Sequence, residues 1–239
     1  MGNIGIGIGL GSARRGPSGP AFDPTDFSPD ALFRSNFAGS PWVDEIAARN
    51  AAALTGTPTA GTAQNGHTPV DLGGATSLTI TGASNVLATS AWSMWFVVQF
   101  DSLPADPGAG LYYTIPNLFS ETGTYVNLAC HSNGVSVNTT GTPDEITVST
   151  SLGTAYHLIG VSYSSNNLRL WVDGLAPATK LGTAADLGSL AGNLNIGAEY
   201  SNASFIDGRI LEMGFKKGDI WTYRAQMVDY VNSRYALSL

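Results

Sequence analysis

The chain has 239 residues, a net charge of −7 and only 12% charged side chains, about half the usual share. Its 11 Lys and Arg are scattered, with Arg14-Arg15 and Lys216-Lys217 as the only basic doublets. A nucleic-acid footprint needs clustered cations to displace counterions from phosphates, so nucleic acid is excluded as a partner.

The single Cys130 excludes an internal disulfide and any zinc site built on cysteine spacing. Stability must come from burial, and the best reading of Cys130 is a small core residue. The chain holds no apolar run of about 18 residues, so no membrane-inserted helix is expected. The N-terminus lacks the charged region and compact apolar core of a signal peptide. Met1-Gly2 suggests myristoylation, but Ile6 stands where Ser or Thr is required. With 29 Gly and 12 Pro, the composition suits a turn-rich all-β fold. The length fits one large β-sandwich or two small domains.

In chain order, residues 1–10 alternate Gly with Ile4, Ile6, Ile8 and Leu10. At period two these four side chains line one edge and leave the other bare. Two readings stay open: an assembly arm that adds a strand to a partner or to copies of itself, and a frayed tail. It is not a dinucleotide fingerprint, because Leu10 stands where the last Gly should be. Residues 12–29 read as a linker, with Pro17, Pro20, Pro24 and Pro29 beside Gly16 and Gly19. The expected organisation is therefore an arm and linker over 1–29 and one domain over 30–239.

Residues 55–68 form a Thr/Gly/Ala loop, and 104–113 a loop ending in paired tyrosines. Strands are predicted over 77–80, 92–100, 118–120, 125–130, 135–137 and 146–150. Residues 155–174, AYHLIGVSYSSNNLRLWVDG, read as a hairpin turned at Ser164–Asn167. Its second strand places Leu168, Leu170 and Val172 on a buried face and Arg169, Trp171 and Asp173 on the other. Asp173-Gly174 signals a further turn. After Asp219, a plausible N-cap, Ile220, Tyr223, Met227, Val231 and Arg234 fall at helical spacing.

The hairpin segment YHLIGVSYSSNNLRLWVDG resembles the central hairpin of the concanavalin A-like lectin/glucanase, or laminin-G-like, jelly-roll family. Three further blocks resemble its strands in the same order: SAWSMWFVVQFD (90–101), LNIGAEY (194–200) and FIDGRILEMGF (205–215). Before them, DALFRSNFAGSPWVDEIAARNAA (30–52) resembles the opening of lectin-like phage and bacterial modules, with Trp42-Val43-Asp44 and Asn50 at the marked places. The last segment resembles the helix that closes many such modules. The resemblance implies an all-β, antiparallel concanavalin A-like sandwich with an extended N-terminal arm and a short C-terminal helix. It implies lectin, glycosidase or purely structural use equally.

Glycosidases of this superfamily carry carboxylates two residues apart on one strand, which places acid and nucleophile about 5 Å apart. Nothing here matches. The nearest set, Glu199, Asp207 and Glu212, spreads over two strands and a turn. Glu212 aligns with the family's structural Glu, and Asp207-Gly208 reads as a turn. The Gly-x-Ser-x-Gly elbow is missing, and His67, His131 and His157 are dispersed. His157 matches the family's strand His and reads as packing. Calcium, which some relatives bind, would draw on Asp101, Asp106, Asn117, Asp144 and Asn202, but no acidic cluster supplies six to eight oxygens. No enzyme activity, cofactor or metal is expected.

For a sugar, rings stack on C–H faces and amides fix hydroxyls. The candidate ligand residues are Tyr112, Tyr113, Asn117, Tyr200 and Asn202, whereas Trp92, Trp95 and Trp171 read as core. Arm, low charge and lectin-like pattern together resemble an accessory structural protein of a tailed bacteriophage. The expected role is a virion-borne, non-enzymatic protein. It docks on other virion proteins, or on itself as a homo-oligomer, through its arm, and it displays a domain for host-surface glycans. The alternatives are a capsid or tail decoration protein that binds no sugar, and a bacterial glycan-binding module.

Overall fold

In a computed structural model the described residues are 22–34, 36–47, 49–82, 87, 90–104, 117–121, 126–139, 142–181, 193–198 and 204–239, with backbone alone for 117–121, 138–139 and 142–145. The arm residues Ile4, Ile6, Ile8 and Leu10 lie outside them.

The strands are β1 (Ala31–Phe33), β2 (Trp42–Val43), β3 (Asn50–Thr55), β4 (Thr59–Ala60), β5 (Val70–Asp71), β6 (Ser77–Ile80), β7 (Trp92–Ser102), β8 (Asn117–Glu121), β9 (Asn127–His131), β10 (Gly134–Thr139), β11 (Thr142–Ser149), β12 (Tyr156–Ser164), β13 (Asn167–Val172), β14 (Ala178–Leu181), β15 (Leu194–Ile196) and β16 (Asp207–Lys216). They form two eight-stranded sheets. The first runs β14-β13-β12-β7-β16-β5-β4, with β1 and β5 sharing one edge of β16. The second runs β11-β10-β9-β8-β15-β6-β3-β2. Every recorded pairing is antiparallel, and the fold is the sandwich the hairpin pattern predicts.

Alternation explains the core. Met94, Phe96 and Val98 of β7 and Leu168, Leu170 and Val172 of β13 point inward, against Leu128, Cys130, Val135 and Ile196 of the second sheet. Cys130 is a buried core residue, as expected. The two-residue turn of the hairpin uses left-handed Ser165 and Asn166, at φ 50° and 59°, the geometry that polar turn residues tolerate.

The hairpin is buried on both faces, not one. Trp171, on the face opposite Leu168 and Leu170 but read as core, sits fully buried with Trp95, Val97, Leu158 and Leu211 under a second apolar layer. Helix α1 (Arg224–Tyr235) builds that layer with Met227, Val231 and Tyr235, joined by Ile220 before it and Phe27 from the N-terminal side. Phe27 meets the Trp95 ring edge-on at 5.4 Å. The helix starts later than expected, because Asp219 Oδ1 accepts from Trp221 N at 2.8 Å and organises a 3-10 turn over Trp221–Tyr223 first.

Two further expectations are corrected. Among the described residues, packing includes Phe22, inside the stretch read as linker: Asp23 caps a 3-10 turn over Pro24–Phe27, and Phe27 is buried. Asp207-Gly208 does not form a turn. Both open β16, with a register shift between them, and a Cβ on Gly208 would overlap the Gln99 carbonyl of β7. The edge strand β14 has no counterpart among the predicted strands; its pattern is largely exposed, which leaves no alternation to read.

The opening block is organised by Asp44. Its buried Oδ1 accepts from Leu32 N and Ile46 N, each at 2.9 Å, and so ties β1 to the segment after β2. Trp42 beside it packs on Phe33 and Phe37. Asp44→Ala strands the buried Leu32 N–H and the half-buried Ile46 N–H and is expected to destabilise the fold by about 2 kcal/mol. A denaturant midpoint that does not move would contradict this role.

Candidate functional site

The sequence places its candidate ligand residues on two loops far apart in the chain, and strand pairing brings the roots of those loops together. β8 lies between β9 and β15, with Asn117 opposite Ala129 and Phe119 opposite Ile196. Since these neighbours run antiparallel, the start of β8 and the end of β15 lie at one end of the second sheet. The segment holding Tyr112 and Tyr113 enters β8 there, and the segment holding Tyr200 and Asn202 leaves β15 there. Tyr112, Tyr113, Tyr200 and Asn202 lie outside the described residues, as does the side chain of Asn117, whose backbone opens β8.

The described parts of this end are firmly tied. Ile206 N donates to the Gly197 carbonyl at 2.8 Å and closes the base of one loop. Gly197 takes φ +82°, and a Cβ there would overlap the Leu72 side chain, so the sharp exit from β15 requires glycine. Ser132 N donates to the Pro104 carbonyl at 2.9 Å, which fixes the start of the other loop against the β9–β10 turn.

The outer face of the sheet at this end is polar. His131, only 3% exposed, has Nδ1 at 2.8 Å from Asn133 Oδ1 and Nε2 at 3.4 Å from Ser136 Oγ, which in turn lies 3.0 Å from Thr147 Oγ1. Ser77 Oγ and Thr79 Oγ1 of β6 are buried with no hydrogen-bond partner. A buried hydroxyl without a partner is held at a cost of about 1–3 kcal/mol. Ser136, Thr147, Ser77 and Thr79 were not singled out from sequence. The only signal for them is alternation: Val135 and Val137, or Ile146 and Val148, face inward and leave the polar residue between them outward.

The remaining chemistry-bearing residues do not converge. Glu212 is fully buried behind the first sheet, where its Oε1 accepts from Trp95 Nε1 at 2.8 Å and its Oε2 from the Tyr230 and Tyr235 hydroxyls at 2.8 and 2.7 Å. Burial pushes its carboxyl above the usual range. Asp207 instead accepts from Ser102 Oγ at 3.0 Å, and Glu199 lies outside the described residues. No paired carboxylates therefore face a common cleft among the described members of this set. His157 Nδ1 lies 2.8 Å from Asp173 Oδ2, and Asp173 Oδ1 accepts from Leu158 N at 2.7 Å, an arrangement that clamps the two hairpin strands. His67 packs edge-on against Tyr235 at 5.1 Å. Among the described residues no group of three or more His, Cys, Asp or Glu could hold a metal ion.

Comparison with solved structures fixes the architecture. Domain 4 of a GH43 extracellular arabinanase from Geobacillus stearothermophilus, solved with arabinotriose, superposes with TM-score 0.63 at 10% identity over 84% of this chain and 97% of that one. The Botulinum neurotoxin serotype D binding domain gives 0.60 at 9% identity, over 86% of this chain and 51% of that one. Trypanosoma rangeli sialidase gives 0.57 at 12% identity over 84% of this chain, which spans only 33% of that enzyme. All three likenesses are of fold. No family model matches the chain, and no curated protein matches it.

Proposed function

We propose that this chain is a non-enzymatic carbohydrate-binding β-sandwich whose ligand sits at the loop-bearing end of the second sheet. The observation that carries this reading is the pairing of β8 with β15, which sets the start of β8 and the end of β15, the strand ends that lead into the two candidate segments, at one end of the second sheet. Aromatic rings on those loops would stack on sugar C–H faces, while Asn117 and Asn202 would meet sugar hydroxyls. The fold neighbours support it: the arabinanase domain that this chain covers almost completely was solved with a bound arabinose oligomer.

The finer reading is attachment to a tailed-bacteriophage virion, where the Gly/Ile arm docks the domain and repeated copies turn weak sugar binding into avidity. It is supported by the arm's sequence alone. A bacterial glycan-binding module is the second reading, favoured by the near-complete match to a domain of a secreted bacterial arabinanase.

A glycan array probed with the full chain tests the binding. At least one glycan is retained, and Tyr112→Ala or Tyr200→Ala weakens its binding about tenfold, as expected for losing one stacking ring. An array with no retained glycan would favour a decoration role. Light scattering tests the arm: the full chain forms oligomers, and a chain beginning at Phe22 is a folded monomer. If both are monomers, self-assembly through the arm is wrong.

A further inference from the structure

On the outer face of the first sheet, the row beside Val97 and Leu158 is polar. Strand register sets Asp71 of β5 opposite Arg209 of β16, Arg209 opposite Gln99 of β7, and Gln99 opposite Tyr156 of β12. Four neighbouring strands therefore present one straight row, about 14 Å long at three strand spacings. Over it lies a cavity of about 400 Å³, walled by Gln64, Gln99, Ala155, Tyr156, Arg209 and Leu237, a size within the range of small-molecule sites.

The polar groups of this row are held in place. Arg209 Nε donates to Asp71 Oδ2 at 2.9 Å, and its Nη1 donates to Asp101 Oδ1 at 2.8 Å. Gln99 Nε2 donates to the Thr154 carbonyl at 2.6 Å, and Gln64 Nε2 to the Tyr235 carbonyl at 2.9 Å. Tyr156 differs from them: it is 8% exposed, and its hydroxyl has no hydrogen-bond partner. Burial pushes that hydroxyl up to about 12, so it stays a neutral O–H beside Arg209, Asp101 and Asp71.

We propose that this cleft is a second binding site, which takes a neutral hydroxylated ring of mono- or disaccharide size. Arg209 lies between two carboxylates, so the local charge is negative and an anionic ligand is disfavoured. A sugar hydroxyl both donates and accepts. It can therefore complete the Tyr156 hydroxyl and still reach the Arg209 and carboxylate groups, while the C–H face of the ring rests on Leu237 and Ala155. The cleft shares no residue with the loop-bearing end, so either site can fail alone.

The test is an NMR titration of the 15N-labelled full chain with neutral sugars: arabinose, glucose, galactose, mannose and their disaccharides. The expected result is saturable shifts of the side-chain N–H signals of Gln64, Gln99 and Arg209 with at least one of them. Tyr156→Phe removes only the orphan hydroxyl. It should weaken that binding about five- to tenfold and leave the melting temperature unchanged or raised. Ala155→Trp, at an exposed wall, should abolish the shifts, and Tyr200→Ala should leave them intact. The proposal is overturned if no sugar moves these signals, if Tyr156→Phe and Ala155→Trp leave the affinity unchanged, or if only Tyr200→Ala removes it. Tighter binding of glucuronate or choline at the same residues would overturn the ligand class.

Discussion

Glu212→Ala is expected to destabilise the protein by about 3–5 kcal/mol, the scale seen when the shared acceptor of a buried hydrogen-bond network is removed. For a domain of this size that lowers the melting temperature by roughly 10 °C. The reason is the number of donors that depend on one carboxyl group. Trp95 Nε1 and the Tyr230 and Tyr235 hydroxyls all end on Glu212, which is fully buried. Alanine leaves three buried donors with nothing to bond and opens a cavity between β16 and α1. Burial raises both tyrosine hydroxyls well above their ordinary values, so they remain donors. Glu212→Gln should be milder, about 1–2 kcal/mol, because it keeps an acceptor and places an amide before hydroxyls that can rotate.

The same carboxyl makes stability depend on pH. Burial raises its folded value above the ordinary 4.5. The protonated form is therefore favoured by folding, and its contribution is complete below about pH 4.5 and is lost as pH rises through the folded value. Glu212→Gln carries no such proton. Denaturant midpoints measured from about pH 4 to about pH 9 should show the advantage of wild type over Glu212→Gln shrinking as pH climbs. A constant difference would mean that the carboxyl is not shifted upward.

Gly160→Ala and Gly214→Ala are each expected to cost about 3 kcal/mol, at the upper end of overpacking. A Cβ on Gly160 would overlap the Trp171 ring, and one on Gly214 would overlap the Trp95 ring. Register puts each glycine directly beside its tryptophan on the neighbouring strand, so each ring lies flat across bare backbone. Both rings are fully buried under α1 and cannot swing away. Gly153→Ala, where a Cβ meets nothing within 4 Å, serves as the control. Thermal melts that rank Gly153→Ala equal to the other two would refute this packing.

Much of the fold was legible in the sequence, because β13 alternates cleanly, β7 and β12 are rich in β-favouring residues between turn signals, and the closing segment changes to helical spacing. What could not be read is which face the helix covers. Alternation put Trp171 beside Arg169 and Asp173, a set that looks solvent-facing until α1 docks across it. That contact joins elements some 50 residues apart, and no local pattern encodes it. The Asp23 cap hid inside a proline-rich stretch for a similar reason: composition marks a linker, whereas burial of Phe27 depends on Trp95 far along the chain.

The candidate ligand segments were legible from their tyrosines and amides, but their shared root was not. β8 pairs with β15 across more than 70 residues of intervening chain. The row Asp71, Arg209, Gln99 and Tyr156 is less legible still. Each member looks like an ordinary strand or turn residue, and only the register of four separate strands lines them up.

We propose that this sandwich binds a glycan and returns it intact. The most direct measurement is a calorimetric titration of the full chain with the glycan best retained on an array, followed by mass analysis of the recovered sugar. Saturable binding is expected, with the glycan recovered at its original length. Shortened sugar after incubation, or no saturable binding by any retained glycan, would contradict it.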